Sequence, residues 1–546
     1  MNIGIFIAYE GIPDFRKEGL GRYLAYLTKG FLASENHVTI ACPEWLIKPI
    51  GLLFEDNGID IDKINLLTID QPSIMRFFLR VKIEKKKKLR GNFAKMLGRG
   101  AFELTTKFLS ITNTVAFVLI SALFVVLFVV FFPLLFVFRI ISSLFFRTKN
   151  LLVSTTVKTK SIFSFNALRG IVNHLAFKFT SVQKDYTEFM MRKIINNNIY
   201  ALIKRINHNK CVDVWYSPFI PHPGFNQIRG TRVVNVPDLV TAVFPMGFSD
   251  KAMLAQTEKV RNTITVNKYF ITYSEFVKDT TLVKDFNKPP DSVKAIKHAV
   301  NDLSKYFDIH ANVQHMGFPQ EINQNFARTR LNELIYRSLI PNIDNMHAYL
   351  SNFNFKDVRY IFYASQIRPH KNVINLLKAY EYILRRQYRQ VKLFLTGNYM
   401  VDPDVTDYIL KNRLEYDVLS FSDVSSSMLA SLYAAAELVV NPTLYEGGFP
   451  FTFGEGMSVG VPSVMSRIPQ TMEVMQGYGC DEFLFDPYNW KDMADTIIFA
   501  LDNKDYAYQT QKPLFDDMMT RTWDTVAQEY VDAFWDFINN RQGSRH

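Results

Sequence analysis

Two cations and two carboxylates carry most of the chemistry this sequence offers. Arg368 and Lys371 sit in QIRPHKN, directly after the apolar run YIFYAS, where a strand would deliver them to the mouth of a cleft. In that place two positive charges can neutralise a diphosphate leaving group, an electrostatic contribution that often dominates catalysis. Glu446 and Glu455 bracket EGGFPFTFGE, a stretch rich in glycine and phenylalanine. Acids in such company fit neither a plain core strand nor a solvated loop, which raises the question of what they hold. Gly19 and Gly21, in EGLGR after the first apolar run, let backbone N–H groups approach a phosphate. A simple tight turn is the other reading of those glycines. Asp402 and Asp404 superficially form an Asp-x-Asp metal motif, but the pair is expected to cap a helix. Asp60 and Asp62 are no more convincing as metal ligands.

The elements that position these residues follow from the hydropathy pattern. A chain of 546 residues, 48% of them hydrophobic, exceeds one ordinary core, so two or three domains are expected. Short apolar runs alternate with amphipathic stretches, as in parallel α/β layers. IGIFIAY, HVTIACP, VDVWYSP, TRVVNVPD and YFITYSE read as strands of a first half, with a helix in KEGLGRYLAYLTKGFL. RYIFYAS, QVKLFLTGN, DVLSFSDVS, AELVVNPT and VPSVMSR repeat the rhythm in a second half, and the break falls between Phe318 and Val358. A last helix shows Trp523, Val526, Tyr530, Phe534 and Phe537 at three- and four-residue spacing. Two such halves leave a cleft at the carboxyl ends of their sheets.

One segment departs from this pattern. The net charge of +11 is concentrated at Lys82, Lys85, Lys86, Lys87, Lys88, Arg90, Lys95 and Arg99, and no charged residue lies between Lys107 and Arg139. A run that long is a membrane candidate. If the strands before and after it share one sheet, both flanks lie on the same side of the bilayer, and Pro133 can break the helix into two arms, so a hairpin re-entering one leaflet is expected over about 108–146. Arg139, Arg147, Lys149, Lys158 and Lys160 add positive charge downstream. Each such residue contributes about 1 kcal/mol near an anionic cytoplasmic leaflet. Without a groove-reading motif, nucleic acid is not an expected partner. Cys42, Cys211 and Cys480 are odd in number and far apart, which suits a reducing compartment, and MNIGIFIAYE reads as a buried strand rather than a secretory leader.

QIRPHKN, SMLASLYAAAELVVNPTLYEGGFPFTFGEGMSVGVPSVMSRIPQTMEV and FDPYNW resemble the retaining glycosyltransferases of family four, and EGLGRYL, VVNVPDL, ITYSEFVKD and QHMGFP extend the resemblance into the first half. It covers most of the chain except roughly 70–205. It implies the α/β GT-B fold, two Rossmann-like domains facing a cleft. By resemblance, Glu455 accepts hydrogen bonds from the two ribose hydroxyls of a nucleotide sugar, for which an acceptor-only carboxylate is suited. Glu446 then lies near the donor sugar, Gly448, Phe449 and Pro450 contact the sugar and β-phosphate, and GEGMSVG is a helix whose N-terminus faces the diphosphate. This chain departs from the family twice. Eight residues separate Glu446 from Glu455 where the family has seven, and Pro237-Asp238-Leu239 stands where it commonly has His-Asp-Leu. His222 and His315 could lie near the cleft, though each is more readily an ordinary structural histidine.

The expected organisation is an acceptor-side domain over 1–335 with an insert at about 70–205, a nucleotide-sugar domain over 336–515, and a helix over 516–546 that packs back on the first domain. The expected activity is transfer of a hexose from a UDP- or GDP-linked donor, with retention and no metal or other cofactor. A glycan or lipid-linked acceptor at the cytoplasmic face of the membrane, in surface polysaccharide assembly, is the expected partner. A non-catalytic membrane scaffold that kept the fold, or an epimerase or phosphorylase of the same fold, are the rival readings.

Overall fold

The computed structural model describes residues 1–69, 195–307, 319–331 and 353–543, apart from 10, 12, 18, 210, 241–243, 245–249 and 423. The basic cluster Lys82 to Arg99, the expected hairpin at about 108–146 and His315 lie outside the described residues. Among the described residues no helix is long and apolar enough to cross a membrane.

Seven strands form the first sheet: β1 (Asn2–Phe6), β2 (His37–Ala41), β3 (Ile64–Leu67), β4 (Val214–Ser217), β5 (Thr231–Val236), β6 (Tyr269–Thr272) and β7 (Val293–Ala295). Their order is β3-β2-β1-β4-β5-β6-β7, and every pairing is parallel. Six make the second: β8 (Tyr360–Tyr363), β9 (Lys392–Thr396), β10 (Val418–Phe421), β11 (Leu438–Asn441), β12 (Ser463–Ser466) and β13 (Leu484–Phe485). Here the order is β10-β9-β8-β11-β12-β13, again all parallel. The expected strands are all present. β3, β7 and β13 were not anticipated. Parallel strands are covered on both faces, which is why they read as unbroken apolar runs.

The helices that flank the first sheet are α1 (Gly19–Ala33), α2 (Ile47–Asp56), α3 (195–208) and α4 (Asp250–Val266), with a π-type segment at Val277–Asp285. In α3, Ile195, Ile199, Leu202, Ile203 and Ile206 are buried in the same core as β1, so the first domain resumes before residue 205. α5 (Pro319–Leu331) precedes the second sheet, which carries α6 (Val373–Arg385), α7 (Pro403–Lys411), α8 (Ser426–Ala434), α9 (Phe451–Met457), α10 (Pro469–Met475), α11 (Trp490–Asp502) and α12 (Lys504–Met519). α13 (Trp523–Gly543) then returns to the first domain. Its Val526, Tyr530, Phe534 and Phe537 are fully buried in the first core.

α13 docks on α1 because Gly30 leaves room for it. A Cβ there would lie 2.5 Å from that of Ala527. Beneath this contact Tyr23 of α1 shares hydrogen bonds with Tyr216 of β4 (2.7 Å) and Tyr530 of α13 (2.6 Å), and burial raises the pKa of all three phenols.

Each sheet reverses its strand order once, between β1 and β4 and between β8 and β11. In open α/β sheets, ligands bind beyond the carboxyl ends at such a point. The chain leaving β1 carries Gly19 and Gly21. That leaving β8 carries Arg368 and Lys371, and that leaving β11 carries Glu446 to Pro450.

The tyrosine cluster predicts a modest, measurable cost. Tyr530→Phe removes one acceptor but leaves Tyr23 bonded to Tyr216, so it should destabilise by about 1 kcal/mol, read as a small fall in thermal unfolding midpoint.

Candidate active site

Arg368 is exposed and donates to Gln366 Oε1 at 2.5 Å, and the tight turn Pro369–Lys371 follows it. Asn372 leaves that turn at φ 59°, in the left-handed region, and aims the chain into α6. Buried His370 ties the turn to the loop after β11, because its carbonyl accepts from Leu444 N (2.8 Å) and Thr443 Oγ1 (3.3 Å). The two loops are thereby held together, and Lys371 Nζ donates to Glu446 Oε1 with both side chains largely buried. Arg368, Lys371 and Glu446 are gathered at the second sheet's switch point.

The first domain faces this group with Asp238. Although Asp238 keeps open surface, the protein crowding it raises its carboxyl pKa, chiefly by desolvation. The Val240 N–H opposes that shift, Glu446 adds to it, and Lys371 and Arg368 pull it back. Asp238 is held there by close backbone packing across the seam. A Cβ on Gly447 would fall 1.4 Å from the Pro237 carbonyl oxygen, and one on Gly448 would fall 2.7 Å from Tyr273 Cβ. Ser274 Oγ donates to the Gly447 carbonyl at 2.9 Å, and Leu239 N donates to Tyr445 Oη at 3.3 Å. The glycines here serve domain contact, and Pro237 presents a backbone oxygen rather than an imidazole.

Glu455 is 2% exposed, and three protein donors already reach its carboxylate. Arg22 Nη1 and Asn301 Nδ2 each lie 2.7 Å from Oε1, and Tyr433 Oη donates to Oε2 at 2.6 Å. Arg22 comes from α1, Tyr433 from α8, and Asn301 from the chain that joins the domains. Glu455 raises the pKa of Arg22, and burial, then Glu455, raises that of the Tyr433 phenol. The helix was expected to start at Gly454. It starts instead at Phe451 and is seven residues long, so Glu455 sits within it. Gly21 is a required glycine, since a Cβ would meet Phe15 O at 1.8 Å, whereas nothing lies within 4 Å of one on Gly19.

The remaining candidates disperse. Phe449 and Pro450 border a separate cavity beside the interdomain linker. His222 caps the turn Pro223–Gln227, accepting from Gly224 N at 3.0 Å while its Nε2 meets Asn196 Oδ1 at 2.8 Å. That is a structural role. Asp402 caps α7 by accepting from Asp404 N and Val405 N, and Asp60 accepts from Asp62 N. Among the described residues no three His, Cys, Asp or Glu side chains cluster so as to hold a metal. Arg22, Asn301 and Tyr433 were not singled out from the sequence. Only Arg22 had a signal, its place beside Gly21.

Residues 351–512, which contain Arg368, Lys371, Glu446 and Glu455, match the family model described as Glycosyl transferases group 1. An uncharacterized glycosyltransferase of Methanocaldococcus jannaschii is 24% identical over 267 residues, 48% of this chain and 59% of its own length. The O-antigen chain mannosyltransferase B of Escherichia coli is 33% identical over 177 residues, 32% of this chain and 45% of its own. The chain thus spans about half the length of these curated relatives. Among solved structures, Anabaena HepE in complex with UDP and glucose superposes with a TM-score of 0.50 at 13% identity, covering 97% of this chain and 98% of that one. A glycosyltransferase from Rickettsia africae gives 0.50 at 12%, covering 99% of each. The two parallel-sheet domains are the GT-B fold.

Two outcomes follow from the site's electrostatics. Arg22→Ala would leave the Glu455 carboxylate short of its cation. Because the Arg22 side chain is 30% exposed, the expected loss is about 2 kcal/mol, below the ~3–5 of a fully buried pair, read by thermal unfolding. Burial lowers His222 to about 4 and His370 to about 3. Both are neutral above about 6.5, folded or unfolded. Below that the unfolded chain takes up protons that the folded chain refuses, so stability falls with pH, by at most about 1.4 kcal/mol per unit for each histidine. A His370→Gln variant should show a shallower fall in unfolding midpoint across that range.

Proposed function

We propose that this chain is a glycosyltransferase that moves a hexose from a nucleoside-diphosphate sugar to a glycan or lipid-linked acceptor. One observation carries the reading: Arg368, Lys371 and Glu446 meet at the second sheet's switch point, facing Asp238 of the first domain across the seam. The Glycosyl transferases group 1 match over the same residues supports it. In the reaction the bond between sugar C1 and the β-phosphate oxygen breaks, and an acceptor hydroxyl oxygen bonds to C1. The hydroxyl proton passes to the departing phosphate, and the nucleoside diphosphate leaves. Lys371 and Arg368 take up the charge that develops on that phosphate, and such stabilisation is worth most where water is excluded. Attack on the face the leaving group vacates gives retention, as the family resemblance implies.

Glu455 is the proposed ribose acceptor. To hold a diol its carboxylate must give up part of its present bonding, and Arg22, at the seam and 30% exposed, is the donor that can yield to solvent. A UDP- or GDP-linked hexose fits this scheme. The acceptor at the cytoplasmic membrane face, in surface polysaccharide assembly, rests on the uncharged segment between Lys107 and Arg139 and its basic flanks. The name of the Escherichia coli relative is in keeping with it.

A second reading draws on the same carboxylate. With Arg22, Asn301 and Tyr433 already answering Glu455, a scaffold that kept the fold without binding a nucleotide would look alike. A thermal-shift panel of nucleotide sugars separates the two. A true donor at a hundredfold excess over its dissociation constant adds about 2.7 kcal/mol, and Glu455→Ala should lose that response. Lys371→Ala should lower transfer by about 100-fold or more while leaving the donor-induced shift in place. A chain that no donor stabilises is the scaffold.

A further inference from the structure

A cavity of about 460 Å³ lies where the interdomain linker, the loop after β11, α10 and the end of α12 meet. Its size is that of a small-molecule pocket. It is lined by neither Arg22, Arg368 and Lys371 nor Glu446 and Glu455, so it is separate from the cleft described above.

Gln470, on α10, is 1% exposed and lines this cavity, yet neither Nε2 nor Oε1 of its amide has a hydrogen-bond partner. A buried amide unpaired at both ends is costly, and such a group in a folded protein calls for an explanation. The other walls narrow what could satisfy it. The cations in the lining are already paired. Glu473 accepts from the backbone N–H groups of Glu275 and Phe276, each at 3.2 Å, and pairs with Lys297 at 3.5 Å. Asp517 accepts from Tyr478 Oη at 2.8 Å, and Arg521 is spent on Glu529 and the Lys297 carbonyl. An anionic ligand would find no free cation there. His298, stacked on Phe451 with ring centroids 4.8 Å apart, is held neutral by burial, its pKa lowered to about 3, and so offers one donor and one acceptor. Phe449 and Phe451 add aromatic surface to the wall.

An amide that both donates and accepts, a neutral imidazole and aromatic rings, without a free cation, suit a polyhydroxylated molecule that has apolar C–H faces. We propose that this cavity binds a neutral sugar, free or as a residue of a glycan, whose hydroxyls pair with both ends of the Gln470 amide. The proposal does not depend on Glu455 holding a nucleoside.

The test uses the full chain and Gln470→Leu, with glucose, galactose, mannose and maltotriose as probes, read by saturation-transfer NMR and thermal shift. At least one probe should bind saturably in the millimolar range, and Gln470→Leu should weaken it at least tenfold. The unliganded variant should melt no lower than the parent chain, because an apolar group replaces an unpaired amide. Binding should persist with saturating UDP present. Maltotriose binding where monosaccharides fail assigns a glycan residue, and monosaccharide binding assigns a free sugar. The proposal is overturned if no probe saturates, if Gln470→Leu binds as the parent does, or if saturating UDP removes the signal.

Discussion

Glu455 puts a negative charge where water scarcely reaches, and the donors that answer it come from three separate elements. Arg22 belongs to the first domain, Tyr433 to the second, and Asn301 to the chain between them. A carboxylate in that position is tolerable only while its partners stay in place. This interaction therefore fixes how α1 sits against α9, and with it how one switch point is set against the other. The backbone packing that holds Asp238 opposite Lys371 and Glu446 belongs to the same seam.

That seam is made of backbone as much as side chains. Gly447 lies against the Pro237 carbonyl and Gly448 against Tyr273, contacts too close for any larger residue. The loop after β11 thus faces two tasks, closing against the first domain and presenting Glu446 to the cleft. The ion pair with Lys371 holds Glu446 in the second task while the glycines perform the first. A histidine at position 237 would bring a ring to the cleft, whereas proline brings a rigid backbone. In this chain the carboxylate next to it, Asp238, is the group on which the two cations act electrostatically.

The sequence disclosed the alternating layers because buried parallel strands are continuous apolar runs. VKA at 293–295 and LF at 484–485 are too short for any periodicity, and INLL at 64–67 has only its two ends buried. Arg368, Lys371 and the two glutamates were visible as types in an unusual setting. Their partners were not, since Lys371 and Glu446 stand 75 residues apart and Arg22 and Glu455 stand 433 apart. Nothing local in a sequence records such a pairing. The start of α9 was hidden by Gly454 and Gly456, which argue against a helix interior, although Pro450 at its N-cap was a fair start signal.

α13 belongs to the second half by chain order and to the first by packing. Cleaving the backbone between the sheets would not free two independent bodies. One fragment would retain a helix whose Tyr530, Phe534 and Phe537 have lost their cover, and the other would carry an uncovered groove along α1 where Gly30 and Phe31 lie. Nicked halves should cling together without a covalent join, and each expressed alone would tend to seek another copy of its missing complement.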